Sequence, residues 1–301
     1  MIRDSRFFQK TAFDEKKIHM INSRELAELK SVLLKMLSDF INVCEKNGIS
    51  YSLGGGSVLG AVRHHGMIPW DDDIDVILFR KDYSKFISVF ENELSDNYVL
   101  CAPQIGNDHG MAQTQIKKKN TIFRSFNELT KADDNCGIYI DIFIAENVPD
   151  SFALSVIHGI ICLAFGYVLT CRKTFSDIEE IKKYLNTEGS AAKKFRIKAR
   201  IGRLFSMFSL DSISRITDRV YSLCKNDESK YVTIPTGRKH FFGEKIRRTF
   251  LKNTVSSQFN GIIVQIPEHS EEYLIQLYGR DYMMLPPMEK RETHPVMELK
   301  I

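Results

Sequence analysis

The run Pro69-Trp70-Asp71-Asp72-Asp73-Ile74-Asp75-Val76 places four carboxylates within five residues, at the start of a hydrophobic stretch. Carboxylates this close repel one another and raise each other's pKa unless a cation lies among them. In a strand, Asp73 and Asp75 project to the same side, the geometry in which two carboxylates share a hard divalent ion. Alone, the triplet reads equally well as a solvated acidic turn. A calcium-binding helix–loop–helix is excluded. With Asp71 at loop position 1, position 6 is Val76 instead of Gly and position 12 is Asp82 instead of Glu.

Sixteen residues before Asp73 a short apolar run ends in Gly54-Gly55-Gly56-Ser57. Glycines here let backbone N–H groups approach a phosphate, and Ser57 adds a hydroxyl at a helix start. The spacing matches neither a Walker loop nor the GxGxxG dinucleotide turn. Together, a phosphate cradle and a carboxylate pair describe nucleotide-dependent phosphoryl transfer. That chemistry calls for a third acid on a neighbouring strand. Gly137-Ile138-Tyr139-Ile140-Asp141-Ile142-Phe143 supplies one, a lone Asp in an apolar run. A buried carboxylate is costly without a partner, so Asp141 should face one.

The run LGGGSVLGAVRHHGMIPWDDDIDVILFRKDYSKF resembles the signature of the LicD family of phosphocholine transferases, relatives of fukutin and fukutin-related protein. The resemblance continues through IKKKNT at 116–121, GIYIDIF, Val148-Pro149-Asp150, and a tail with Glu272-Tyr273-Leu274, Tyr278-Gly279, Pro286-Pro287, Arg291 and His294. It implies an α+β nucleotidyltransferase-like mixed β-sheet flanked by helices. A mainly helical insertion and a C-terminal segment closing the site complete the expected fold. It implies Mg²⁺, or Mn²⁺, held by Asp73 and Asp75 on the diphosphate of CDP-choline or a related CDP-alcohol. Asp141 would complete the metal site or act as general base.

Gly55, Gly56, Ser57 and Arg63 would contact the donor phosphates. Lys117 would join them or sit on a solvated hairpin edge. Asp72, His64 and His294 are candidate donor or acceptor contacts, Asp71 and Asp72 would shape the turn, and Trp70 would pack beside it. The acceptor would be a bacterial surface glycan (lipopolysaccharide, teichoic acid or capsule), free or lipid-linked, and CMP would leave. The alternatives are a nucleotidyltransferase adding NMP and a non-catalytic membrane-surface scaffold.

The elements that must hold these residues are legible in outline. Apolar residues at three- and four-residue spacing predict a helix over 24–48 with a capped start at Ser23. Strands are expected at 49–53, 74–79, 98–101, 111–117, 121–125 and 137–143, helical turns at 57–64, and a helix over 82–94. The domains expected are an N-terminal extension over 1–22, a catalytic core over 23–150, a helical membrane- or acceptor-facing region over 151–230 and a C-terminal segment over 231–301.

Residues 152–171 hold no Asp, Glu, Lys or Arg. They read as a buried or membrane-dipping helix in preference to a full span. The stretch 182–203 carries eight Lys and Arg against one Glu. Ile197, Ile201, Leu204, Phe205 and Phe208 form an apolar stripe there, flanked by cations. This predicts an interfacial helix, or a basic amphipathic helix packed on the core.

The net charge of +4 is therefore uneven, +7 in this stretch and −3 elsewhere, and argues against a nucleic-acid binder. Six separated cysteines exclude a zinc or disulfide framework, and the charged first residues lack a signal-like apolar run. The expectation is a cytoplasmic protein with a peripheral membrane contact through 152–208.

Overall fold

Asn22 starts helix α1 (Ser23–Lys46) by accepting from the Arg24 and Glu25 N–H groups, while Glu25 reaches back to the Asn22 N–H. The cap thus falls one residue before the expected Ser23, because the Asn22 side chain spans to both donors. The computed structural model describes residues 18–106, 110–184, 190–288, 291, 294 and 296–301. Most of the proposed N-terminal extension lies outside them. Leu29, Leu33, Leu37, Phe40 and Cys44 form the face of α1 buried against the core.

Beyond α1 come β1 (Ser52–Leu53), α2 (Gly55–His64), β2 (Asp75–Phe79), α3 (Arg80–Glu93), β3 (Tyr98–Cys101), β4 (Thr114–Lys118), β5 (Ile122–Ser125) and β6 (Tyr139–Val148). The sheet order is β1-β2-β6-β4-β3. Among the described strands, only β2 and β6 run parallel, so the sheet is mixed, as expected for this fold class. Strand β6 is buried along most of its ten residues because sheet neighbours and helices cover it on all sides. The strand expected at 49–53 is only two residues long, and the turns expected at 57–64 are a full helix beginning at Gly55.

Residues 152–184 form one helix, α4 (Phe152–Tyr184), followed by α5 (Ser190–Leu204) and α6 (Leu210–Tyr221). The structure corrects the buried reading of 152–171. One face, with Ser155, His158, Gly159 and Cys162, packs inward, while Leu154, Ile157, Ile160 and Leu163 are exposed. Of the two readings of the next helix, core packing does not run through the whole apolar stripe. Ala192 and Ala199 are buried, Ile201 and Phe205 are half-buried, and Ile197, Leu204 and Phe208 face solvent. Gly202 explains the choice: a Cβ there would collide with the Cys171 carbonyl, so α5 lies on α4 through its smallest residues.

The rest is short elements: β7 (Tyr231–Thr233), α7 (His240–Gly243), β8 (Ile246–Arg247), α8 (Arg248–Lys252), β9 (Thr254–Phe259), β10 (Ile262–Pro267), α9 (Ser270–Tyr278) and β11 (Val296–Lys300). Strands β7 and β8 extend the main sheet beside the C-terminal half of β6. Strand β11 pairs antiparallel with β5, which carries the end of the chain back across the core domain. All six cysteines are free thiols, five of them buried.

Candidate active site

Parallel pairing of β2 with β6 sets Asp75 directly beside Asp141. Asp73 lies on the extended approach to β2, and the Asp141 N–H donates to the Ile74 carbonyl (3.0 Å), prolonging the ladder by one step. Carboxylate oxygens of Asp73, Asp75 and Asp141 come within 4.8 Å of one another. The third acid thus stands on the neighbouring strand, where the lone Asp of GIYIDIF pointed.

Helix α2 begins against this cluster. The Gly54 N–H donates to the Asp75 carbonyl (2.9 Å), and the Asp75 N–H donates to the Ser57 hydroxyl (2.9 Å). Gly55 has φ +43°, and a Cβ on it would sit 2.6 Å from Asp75 Oδ2. A glycine is required for the carboxylate to come this close to the positive end of the helix. A Cβ on Gly56 would meet Asp71 Oδ2 at 3.1 Å. The Gly55 N–H is already bonded to the Tyr273 hydroxyl at 2.9 Å, and the Ser57 hydroxyl to Asp75. Their geometry is that of groups shaping the metal-side carboxylates. The N–H groups of a first helical turn lack intrahelical partners, and Gly56 N–H opens that turn beside the acids.

Burial and then Asp73 push the Asp141 carboxyl up to about 7, opposed by a hydrogen bond from Gln115 Nε2 to Asp141 Oδ1 (3.0 Å). Asp71 is raised well above the usual carboxylate range by burial, then by Asp73, Asp72 and Asp75. Several acids in one half-buried cluster cannot all ionise without a counter-cation. Three hard oxygen donors around one point therefore fit Mg²⁺ or Mn²⁺, and neither ion is distinguished by them.

A pH dependence follows. The Asp141 pKa in the folded chain lies above its ordinary value of 3.8, so its contribution favours the folded state at low pH and is lost as pH rises through about 7. The melting temperature of metal-free protein should fall between about pH 4 and 7, levelling off above, more steeply than that of Asp141→Asn. Added Mg²⁺ should raise it more at the upper pH, because the ionised carboxylate is the ligand. Equal slopes for the two proteins would contradict this assignment.

The tail folds over the same acids. The His294 N–H donates to Asp72 Oδ2 (3.0 Å), His294 Nδ1 lies 2.7 Å from Asp72 Oδ1, and its Nε2 is 3.6 Å from Asp73. Asp72 is buried, so its main work is to anchor this segment. Asp72, Asp73 and His294 form a second group of potential ligands.

Arg63 donates through Nη1 to the carbonyls of Tyr282 (2.8 Å) and Met284 (3.2 Å), and through Nε to His64 Nε2 (3.0 Å). The residue expected on phosphate is thus a clamp on the tail. His64 is occupied by that bond and stands edge-on to Trp70, with ring centroids 6.3 Å apart. Trp70 packs against the core, with the Arg291 guanidinium 4.3 Å above its ring.

Lys117 is the clearest correction. It is neither at a solvated edge nor turned to phosphate. It is fully buried, ion-paired with Glu128 and donating to the Asn135 carbonyl (2.8 Å). Buried ammonium needs an adjacent carboxylate, and Glu128 supplies it. Two residues went unassigned in the sequence. Gln115 stands opposite Asp141 in the β4–β6 register, which no local pattern marks. Tyr273 reaches Gly55 from 218 residues away, and no local pattern marks that contact.

Comparison with known proteins places this architecture among relatives. Residues 48–153 match the family described as LicD/FKTN/FKRP, nucleotidyltransferase domain. The chain is 30% identical over 283 residues to the lipopolysaccharide cholinephosphotransferase LicD of Haemophilus influenzae, covering 92% of this chain and 98% of that protein. It is 42% identical over 123 residues to an uncharacterised protein of Rickettsia prowazekii, covering 40% of this chain and 41% of that one. A 42-residue segment is 48% identical to the human ribitol 5-phosphate transferase FKRP, covering 14% of this chain and 8% of the human protein.

Proposed function

The chain belongs to the LicD family and is a phosphotransferase; from that premise we propose that it moves phosphocholine, or a related phospho-alcohol, from a CDP-activated donor to a hydroxyl of a cell-surface glycan such as lipopolysaccharide, releasing CMP. The convergence of Asp73, Asp75 and Asp141 beside the glycine-started helix carries this reading.

In the proposed site these three carboxylates would hold Mg²⁺, which when bound neutralises charge on the donor diphosphate. Gly56 at the start of α2 offers its backbone N–H to a phosphate oxygen. The acceptor hydroxyl attacks the phosphorus that bears the alcohol. The bond to the bridging oxygen breaks, and CMP departs with that electron pair. If Asp141 instead stands off the metal, it would take the hydroxyl proton as general base. Ser57 and Gln115 fix the positions of Asp75 and Asp141, and Arg63, Asp72 and His294 hold the tail across the acids. Positioning and electrostatics supply the catalysis.

Parallel incubations with CDP-choline, CDP-ethanolamine, CDP-ribitol and CTP, each with a lipopolysaccharide acceptor, test the substrate class. CMP release from one CDP-alcohol, without pyrophosphate from CTP, is expected. Pyrophosphate from CTP with no CMP from any CDP-alcohol would establish a nucleotidyltransferase instead.

A further inference from the structure

Helix α5 covers one face of α4 only along its second half. Phe195 packs in a cluster with Ile181, Gly202 sits against the Cys171 carbonyl, and the helix ends at Leu204. Where that cover stops, the same side of α4 continues uncovered toward Phe152. Leu154, Ile157, Ile160, Leu163 and Tyr167 are exposed there, Ile160 at 57%. No charged residue interrupts 152–171, a length of about 30 Å as helix. The turn after α5 adjoins this strip, since Arg172 Nε donates to the Phe208 carbonyl (3.1 Å). That turn exposes Leu204 at 76% and Met207 at 82%.

Charge decides what covers the strip. Helix α5 carries six Lys and Arg and no acid. Lys193, Lys194, Arg196, Arg200 and Arg203 are on its exposed side. A second copy of this chain would bring the same cations to the interface and be repelled. An anionic bilayer offers apolar depth for the strip and phosphate for the cations.

We propose that the uncovered face of α4, the 204–208 turn and the outer face of α5 form a docking surface for an anionic lipid bilayer. Helix α4 lies in the plane of the interface and does not cross it, because its opposite face is committed to the protein. His158 Nε2 lies 2.9 Å from the Val220 carbonyl of α6, and a Cβ on Gly159 would collide with Phe241 and Phe242. This surface is independent of the phosphotransfer reading, and its test involves no turnover.

Full-length protein is co-sedimented with vesicles of phosphatidylcholine alone or with phosphatidylglycerol added, at low and high salt. Binding to the anionic vesicles, weakened by salt, is expected. Arg200→Gln with Arg203→Gln should lower the partition coefficient roughly 30-fold, about fivefold per cation. Ile157→Ser with Ile160→Ser should lower it by roughly tenfold or more. Both pairs lie on the surface, and an unchanged melting temperature verifies the fold. Folded variants that bind like wild type would overturn the proposal. So would a wild-type protein that ignores vesicles but forms a dimer abolished by Ile157→Ser with Ile160→Ser.

Discussion

Asp73→Ala and Asp75→Ala are each expected to reduce turnover by about 10²–10³ or more while leaving the folded structure intact. The two carboxylates meet Asp141 within 4.8 Å, and burial together with Asp73 already holds Asp141 far above its ordinary pKa. In metal-free protein each substitution therefore removes a repelling neighbour and should leave the melting temperature unchanged or higher. Such a separation of activity from stability marks a group retained for chemistry and not for the fold. The check is a steady-state rate beside a thermal melt without divalent ions. A variant retaining more than about a tenth of wild-type turnover would remove that residue from the metal site.

Glu128→Ala should produce the opposite signature, a loss of stability of about 3–5 kcal/mol, because it strands a buried ammonium. Lys117 and Glu128 are both 0% exposed, and the Asn135 carbonyl is the other acceptor of Lys117. Removing both charges, as Lys117→Met with Glu128→Leu, should restore most of the stability and retain turnover, since the ammonium is directed at Glu128 and not toward the donor. Urea unfolding of the single and double variants, with rates measured on the double, separates the roles. A double variant that folds normally but loses turnover would return Lys117 to the phosphate site.

Lys117 shows where sequence reasoning runs out. In Lys117-Lys118-Lys119 the three side chains look alike, yet strand alternation turns Lys117 inward, toward a glutamate eleven residues on. Arg63 is hard to place for a related reason. Its position in the glycine-rich motif suggests a phosphate ligand, but the carbonyls it meets through Nη1 are 219 and 221 residues distant. The acids themselves were legible. Local spacing put Asp73 and Asp75 on one side, and the cost of burying a lone carboxylate singled out Asp141.

The strand register that sets Asp75 beside Asp141 is a long-range fact, although a mixed sheet was the fold expected. The middle segment was read correctly as helical and apolar. Whether its face was covered depended on how far α5 extends along it, and periodicity does not encode that. Gly202, lying against Cys171, sets the approach of the two helices.

The central claim is that three carboxylates, Asp73, Asp75 and Asp141, support transfer from a CDP-activated donor. It is tested most directly by following CMP release from CDP-choline with lipopolysaccharide acceptor, in Mg²⁺ and after chelation. Acceptor-dependent CMP release that disappears on chelation and returns with Mg²⁺ is the predicted result. CMP release at the same rate with the divalent ion removed would contradict it.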